Sequence, residues 1–325
     1  PDTVSSNAYP DYWLLPDTAV SDAPDGIIGA ASGYLDKFDT LGVGETGACV
    51  WGGSGSDGAI LATGSFFNES TLTWSPMDTT DIDAPSARMN HVGVSLGDRF
   101  FVWGGRAPTQ LLNDGGIYNR ATDDWDVVTT TGAPSARTGH GAAYDGTSNV
   151  YVMCGSAAAG PTDDGGVYNL GSGWTSLSAS GVMAPRTDAF VCWHAASTTL
   201  VVWGGVGADG NELNDGATYD DGGAGWAAIA PYHASTNPNA PKPATGRRAC
   251  VNPTNGHVLV YGGIVLSSVY NSYYYDHYLY EFDPATATWA TPVPFGNPCR
   301  AHQDFHFIHT IYTGPATTHN ILRLG

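Results

Sequence analysis

The sequence predicts an all-β fold built from repeated four-stranded units, and two independent series of residues carry this prediction. The first series is a glycine pair or a variant of one, at Gly52-Gly53, Gly104-Gly105, Cys154-Gly155, Gly204-Gly205, Gly262-Gly263 and Thr313-Gly314. The second is a tryptophan, at Trp74, Trp125, Trp174, Trp226 and Trp289. Both series keep a period of about 50 residues, which is typical of a propeller blade or a solenoid unit.

Within each unit, the stretch before the glycine mark is the clearest strand. It is β-branched or aromatic, as in RFFVW before Gly104 and TLVVW before Gly204. Such short runs suit a pleated sheet rather than a helix. The glycines then allow a sharp turn and a close approach to a neighbouring backbone. A further strand starts near an Asp and ends on an aromatic residue, as in NDGGIYN, and a final strand carries the tryptophan.

The stretch from Ser86 to Trp125 resembles the kelch repeat. It places an arginine, Arg88, before a strand that ends in Gly104-Gly105, and it continues with a spaced Tyr118 and Trp125. The resemblance covers nearly the whole chain and implies a six-bladed kelch-type β-propeller with four-stranded blades. Cys154 and Thr313 stand where the pattern has glycine, and the first unit has no arginine at the expected place.

The two ends of the chain are expected to share the last blade. Trp13 is followed by LLPDTAVSDAP as Trp74 is followed by SPMDTTDIDAP, so the N-terminus resembles an outermost strand. Closing the last blade in this way removes exposed sheet edges. The sequence therefore predicts a single domain over residues 1–325, with blades at about residues 25–74, 86–125, 135–174, 185–226, 245–289, and 298–325 together with 8–16.

Charge narrows the classes of partner. The chain has 31 acidic and 12 basic residues, a net charge of −19, and its lysines are Lys37 and Lys242. Such a chain repels nucleic acid and anionic membranes. No stretch is long and apolar enough for a membrane span. The sequence begins at Pro1 without a methionine or signal sequence, which we interpret as a processed form or an excised piece, and the composition favours a secreted or periplasmic protein.

The cysteines form no Cys-x-x-Cys pair. Four of them, Cys49, Cys154, Cys192 and Cys250, lie in apolar strand-like stretches, and the fifth is Cys299. Buried free thiols are the simplest expectation. A disulfide between Cys192 and Cys250, or between Cys250 and Cys299, is the alternative.

An arginine series is the first candidate for binding. Each member starts an inner strand, and the kelch resemblance implies that together they line a ligand pocket at one mouth of the channel: Arg88, Arg137, Arg186, Arg247 and Arg300. Guanidinium groups bind carboxylates in a bidentate manner. The alternative is that each arginine pairs with an acid or carbonyl of a neighbouring blade. The aspartates before the third strands, Asp114, Asp164 and Asp215 with Asp276 as a looser match, are expected to form turns.

Histidines and tyrosines extend this candidate site. His91 and His140 each follow their arginine by three residues, and they are expected either to line the site or to bond to the next blade. His302 and His306 are the weak candidates for a metal site, and no metal or other cofactor is predicted. Tyr273, Tyr274 and Tyr275 lie in an inserted segment, where exposed rings suit a sugar or a protein.

The predicted function is a secreted, non-catalytic binding propeller that holds a protein or an acidic glycan. The first alternative is a carbohydrate-active enzyme, mutarotase-like or a lyase, that fixes a carboxylate with the arginines. An unpartnered histidine or glutamate near the arginines would favour it. The second alternative is a subunit of an extracellular assembly. The sequence contains no P-loop, no Gly-x-Ser-x-Gly and no His-Glu-x-x-His.

Overall fold

The computed structural model describes residues 28–36, 46–244, 248–252, 254–262, 264–267, 272–294, 306–311 and 320–324. The described chain is almost entirely β, and its one helical element within those ranges is a 3₁₀ turn at Ala195–Ser197. None of its described residues forms a helix long and apolar enough to cross a membrane.

Five antiparallel sheets follow one another along the chain. Sheet one contains β1 (Ala31–Asp36), β2 (Thr46–Trp51), β3 (Gly64–Asn68) and β4 (Thr73–Pro76). Sheet two contains β5 (Val92–Ser95), β6 (Arg99–Trp103), β7 (Gly115–Asn119) and β8 (Asp124–Val128). Sheet three contains β10 (Gly141–Tyr144), β11 (Asn149–Met153), β14 (Asp164–Asn169) and β15 (Gly173–Ser178).

Sheets four and five repeat the same order. Sheet four contains β17 (Phe190–His194), β18 (Thr199–Trp203), β20 (Gly216–Asp220) and β21 (Gly225–Ile229). Sheet five contains β22 (Arg248–Val251), β23 (Val258–Tyr261), β26 (Tyr278–Asp283) and β27 (Thr288–Trp289), with β28 (Val293–Pro294) also paired to β26.

Short strands make up the rest. A three-stranded ribbon combines β9 (Arg137–Thr138), β12 (Ser156–Ala157) and β13 (Gly160–Pro161). Three pairs are β16 (Arg186–Thr187) with β19 (Val206–Gly207), β24 (Ile264–Ser267) with β25 (Ser272–Tyr275), and β29 (His306–Ile311) with β30 (Asn320–Leu324).

The first strands of successive sheets lie side by side. β1 contacts β5, β5 contacts β10, β10 contacts β17, and β17 contacts β22. β1 also contacts β29. The first strands therefore neighbour one another as the innermost strands of a propeller do, and the predicted all-β fold of four-stranded units is confirmed.

The number of blades and their closure stay predictions. The sixth unit is described as the pair β29–β30, and residues 8–16, which were expected to complete it, lie outside the described residues. The assignment of residues 1–325 to one domain also stays a prediction.

The core lies between adjacent sheets and explains why the tryptophans recur. Trp51 at the end of β2 packs against Trp125 of β8, with ring centroids 4.5 Å apart. Trp103 and Trp174 repeat this contact one sheet later at 5.2 Å, and Trp203 and Trp289 repeat it at 4.8 Å. In these three pairs the last-strand tryptophan covers the second strand of the sheet before it, and such aromatic pairs add to the apolar area they bury.

The cysteines follow the simpler expectation. Cys49, Cys154 and Cys192 are buried free thiols, and Cys250 is a partly buried one. The alternative disulfide between Cys192 and Cys250 is therefore wrong. Burial raises the pKa of both thiols. Cys299 lies outside the described residues.

Candidate functional site

The loops between the second and third strands of each sheet form one surface, which we call the loop face. They cover residues 52–63, 104–114, 154–163 and 204–215, with the β24–β25 hairpin at the same place in sheet five. Because successive strands are antiparallel, the linkers into the next sheet leave from this same end. The loop face is thus where the repeat presents its most variable segments.

Arg88 holds the two ends of one of these loops together. Its side chain is fully buried. Nη1 donates to the carbonyls of Gly104 at 3.2 Å and Asp114 at 2.9 Å, the first and last residues of the loop, and Nη2 donates to Asp114 Oδ1 at 2.9 Å. Burial lowers the pKa of the Arg88 guanidinium, and the Asp114 carboxylate opposes that effect.

The next two sheets repeat this arrangement, so we call Arg88, Arg137 and Arg186 the loop-base arginines. Arg137 Nη1 donates to the carbonyls of Cys154 and Asp164, both at 2.9 Å. Arg186 Nη1 does the same to Gly204 and Asp215, both at 3.0 Å. Both side chains are fully buried. Each guanidinium therefore serves as a fixed donor to the backbone of its own loop.

The glycine pairs join one sheet to the next. The second glycine of each pair donates its N–H to the carbonyl of the following loop-base arginine: Gly53 to Arg88 at 2.8 Å, Gly105 to Arg137 at 2.8 Å and Gly155 to Arg186 at 2.9 Å. The first glycine lies against the following histidine, and a Cβ on Gly104 would stand 2.6 Å from His140 Cε1. Gly104 also has a φ of +70°. Only glycine meets both conditions without strain.

Comparison with known proteins matches this pattern. The family model of the KLHDC2/KLHL20/DRC7 Kelch-repeats domain matches residues 40–181, which run from before β2 to just beyond β15. This match covers less than half of the chain and supports a kelch-repeat family. Among curated proteins, the Rho GTPase-activating protein gacHH of Dictyostelium discoideum is 31% identical over 145 residues, or 42% of this chain. The chain spans 9% of the length of that protein.

The loop-base arginines were expected either to bind a ligand or to pair with an acid or carbonyl of a neighbouring blade. Their side chains instead bond within their own sheets. A binding role for them stays a prediction, and burial leaves the half-exposed Asp114 and Asp164 carboxylates as the parts that face solvent. Arg247 and Arg300 lie outside the described residues.

One kelch unit lacks a hydrogen bond that the two before it have. Nη2 of Arg88 donates to Ser86 Oγ at 3.2 Å, and Nη2 of Arg137 donates to Ser135 Oγ at 2.9 Å. The residue at this place before Arg186 is Ala184, whose carbonyl accepts from Arg186 Nε at 3.0 Å but which has no hydroxyl. Arg186 Nη2 is buried without a hydrogen-bond partner.

Ala184→Ser is therefore expected to stabilise the protein by about 1 kcal/mol, because the new hydroxyl supplies an acceptor to a buried donor. Ser135→Ala is the matched control and should destabilise by a similar amount. Urea denaturation measures both. A lower denaturation midpoint for Ser135→Ala with no gain for Ala184→Ser would contradict this account of the unpaired donor.

The histidines of the kelch units are buried neutral groups. His140 Nε2 donates to the carbonyl of Trp103 at 3.2 Å, in the preceding sheet rather than in the next one. His91 lies in the same way against Gly52, beside the backbone of Trp51. Burial lowers the pKa of each histidine to about 3. A general base works best with a pKa near the operating pH, so neither is suited to that role at neutral pH.

The other sequence candidates are only partly described. Tyr273, Tyr274 and Tyr275 lie in β25, paired with β24 beside the loop face, and their binding role stays a prediction. His302 lies outside the described residues, and His306 begins β29. No group of metal-ligating side chains lies close enough to hold a metal within the part of the chain that the structure describes.

The fourth aspartate of the series departs from the others. Asp276 is 5% exposed, whereas the side chains of Asp114 and Asp164 are 48% and 52% exposed. Its carboxylate accepts from Tyr280 Oη at 2.8 Å and from the Tyr278 N–H at 3.1 Å. Sheet five therefore ends its loop on a buried carboxylate.

Sequence reasoning missed a backbone chain on the inner side of the loop face. Gly29, Asn90, Gly139 and Asp188 all have φ between +52° and +69°. Asn90 N–H donates to Gly29 O at 2.8 Å, and Asp188 N–H donates to Gly139 O at 2.6 Å. Asn90, Gly139 and Asp188 each follow their arginine by two residues. That shared offset of Asn, Gly and Asp, the residue types that tolerate a left-handed backbone, was the available signal.

Proposed function

We propose that this chain is a protein-binding kelch propeller whose partner docks on the loop face. The observation that carries the proposal is the set of loop-base arginines. Each one bonds a carbonyl at either end of its loop. A loop closed at its base by buried charge-assisted hydrogen bonds loses less entropy when a partner binds its tip.

The loop tips have the variety that a protein contact requires. Arg106, Pro108 and Gln110 are exposed on the loop of sheet two, and Asp209 and Asn211 are exposed on that of sheet four. The stems are alike while the tips differ, which is how a rigid scaffold carries specificity on its loops. Kelch domains mediate protein interactions, and that property supports the same reading.

The charge of the chain favours a basic partner. A net charge of −19 attracts basic proteins and speeds their association. An acidic glycan is the weaker candidate, because the described arginines that would bind it are buried against their own loops. The enzyme alternative receives no support from His91, although it is close to Arg88, because burial lowers its pKa to about 3. Secretion and an extracellular assembly stay predictions.

Site-specific crosslinking tests the proposal. A photoreactive amino acid at Gln110, on the loop face, is expected to capture a protein partner when the full chain is expressed in its source organism. The same group at Ala121, an exposed residue in the turn between β7 and β8 at the opposite end of the sheet, is the matched control. Equal capture from both positions, or capture from Ala121 alone, would place binding elsewhere and contradict the proposal.

A further inference from the structure

A groove lies at the base of the 104–114 loop, at the same end of sheet two as the loop face. It has a volume of about 650 Å³ and lies between the linker that leads into sheet two, the start of β7 and the end of β8. Its lining includes Ile82, Asp83, Pro85, Asp114, Val127 and Thr130. The proposed docking of a partner on the loop tips makes no use of this groove.

Two aliphatic side chains in the groove are unusually exposed. Ile82 is 94% exposed and Val127 is 58% exposed. Ile82 stands at a turn in which Asp81 Oδ1 accepts from Asp83 N–H at 2.9 Å and Asp81 O accepts from Ala84 N–H at 3.2 Å. The linker is thus held in a shape that presents Ile82 to solvent, where a bound partner would bury it.

The rim of the groove is acidic. Asp83 and Asp114 line it, and no lysine or arginine is among its lining residues. The Asp114 side chain remains 48% exposed even though one of its oxygens accepts from Arg88. Carboxylates beside exposed aliphatic side chains suit a segment that carries both lysine or arginine and apolar residues.

The third feature of the groove is an unpaired strand edge. β8 is the last strand of sheet two and pairs with β7. The Trp125 N–H faces away from β7, because it donates to Asp81 Oδ2 at 2.8 Å. Backbone groups alternate along an antiparallel strand, so the N–H and C=O of Val127 point to the same outer edge. An extended peptide could add to the sheet there.

We propose that this groove binds an extended basic peptide in which aliphatic residues alternate with lysine or arginine. Its backbone pairs with the edge of β8 at Val127, its aliphatic side chains cover Ile82 and Val127, and its cations reach Asp83 and Asp114. Alternation is required because successive side chains of a strand point to opposite sides.

Sheet three offers a matched comparison in the same chain. Counting back from the shared Ala-Pro, Thr131 and Gly132 stand where sheet two has Ile82 and Asp83. Counting forward from the last-strand tryptophan, Ser176 stands where sheet two has Val127. Trp174 Nε1 donates to Thr129 O in its linker at 2.8 Å, as Trp125 Nε1 donates to Asp78 O at 3.0 Å. The two sheets therefore share the bond between tryptophan and linker, whereas the exposed aliphatic and acidic side chains of the groove occur in sheet two and not at the matching positions of sheet three.

A random peptide library displayed on phage, selected on the immobilised full chain, tests the proposal. The selected peptides are expected to alternate aliphatic and basic residues. The strongest synthetic peptide should bind the triple variant Ile82→Thr, Asp83→Gly, Val127→Ser about tenfold or more weakly than the wild type, by fluorescence polarisation. Added salt should also weaken binding to the wild type. An unchanged urea denaturation midpoint shows that these exposed replacements leave the fold intact.

Several outcomes would overturn the proposal. These are failure to select any peptide, selected peptides without basic residues, and equal binding to wild type and triple variant. A dimeric wild type that the triple variant converts to a monomer would identify a second copy of the chain as the occupant instead. Crosslinking from Gln110 is a separate readout, because Gln110 lies outside the groove lining although Asp114, in the same loop, lies within it.

Discussion

Replacing Arg137 with methionine is expected to destabilise the protein by about 3–5 kcal/mol. Methionine fills similar space but removes the Arg137 donor, which lies 2.9 Å from the carbonyls of Cys154 and Asp164. The Asp164 carbonyl keeps the Cys154 N–H at 2.9 Å, so the main loss is at the Cys154 carbonyl. Each buried polar group that loses its partner costs about 1–3 kcal/mol. Urea denaturation followed by tryptophan fluorescence measures the loss.

The matched control is Asp164→Asn, which removes the charge but keeps the shape. Its cost is expected to be about 1 kcal/mol or less, because the Asp164 side chain is 52% exposed and water replaces part of the ion pair. The two variants together show whether the carbonyl bonds or the ion pair dominate. An Asp164→Asn variant as unstable as Arg137→Met would contradict the view that the arginine acts through the backbone.

Gly104→Ala is the second change expected to have a large effect, with a loss of about 2–4 kcal/mol from two sources. A φ of +70° strains any residue with a Cβ. The added Cβ would also lie 2.6 Å from His140 Cε1 and 2.9 Å from His140 Nε2, inside a packed interface between sheets. Thermal and urea denaturation of the purified variant measure the sum.

Two further variants separate the sources. Gly146 has a φ of +81°, and a Cβ added there would have nothing within 4 Å. Gly146→Ala should therefore lower the free energy of unfolding only by the backbone strain, about 1–2 kcal/mol. Adding His140→Ala to Gly104→Ala should recover the steric part, giving a favourable coupling of about 1–3 kcal/mol in a double-mutant cycle. Additive losses would show that His140 does not restrict this position.

The chain already contains the exchange that this cycle imitates. At the place of Gly104, sheet three has Cys154, with a φ of +64°, and the residue of the next sheet at the place of His140 is Ala189. Cys154 and Ala189 are both buried in one hydrophobic cluster. A larger residue on one side of the interface is thus matched by a smaller one on the other, which explains how the glycine pattern can be broken there.

Part of the candidate site could be read from residue order. The place of the loop-base arginines at the start of the inner strands was visible in the sequence. The aspartates before the third strands were expected to form turns, whereas the Asp114 and Asp164 side chains pair with Arg88 and Arg137 and Asp164 begins β14. The direction of the guanidinium groups was not visible. Arg88 and Asp114 are 26 residues apart, and only the return of β7 beside β6 brings the Asp114 carbonyl and carboxylate to the buried arginine.

The sequence by itself determined the four-stranded unit, because its signals are local. A β-branched run and a left-handed glycine each act within a few residues, and the tryptophan period repeats them. The tertiary structure alone decided which groups are exposed. Arg88 is fully buried while Ile82 is 94% exposed, contrary to their hydropathy, because burial depends on the segments that pack around a residue. Residues distant in sequence supply those segments.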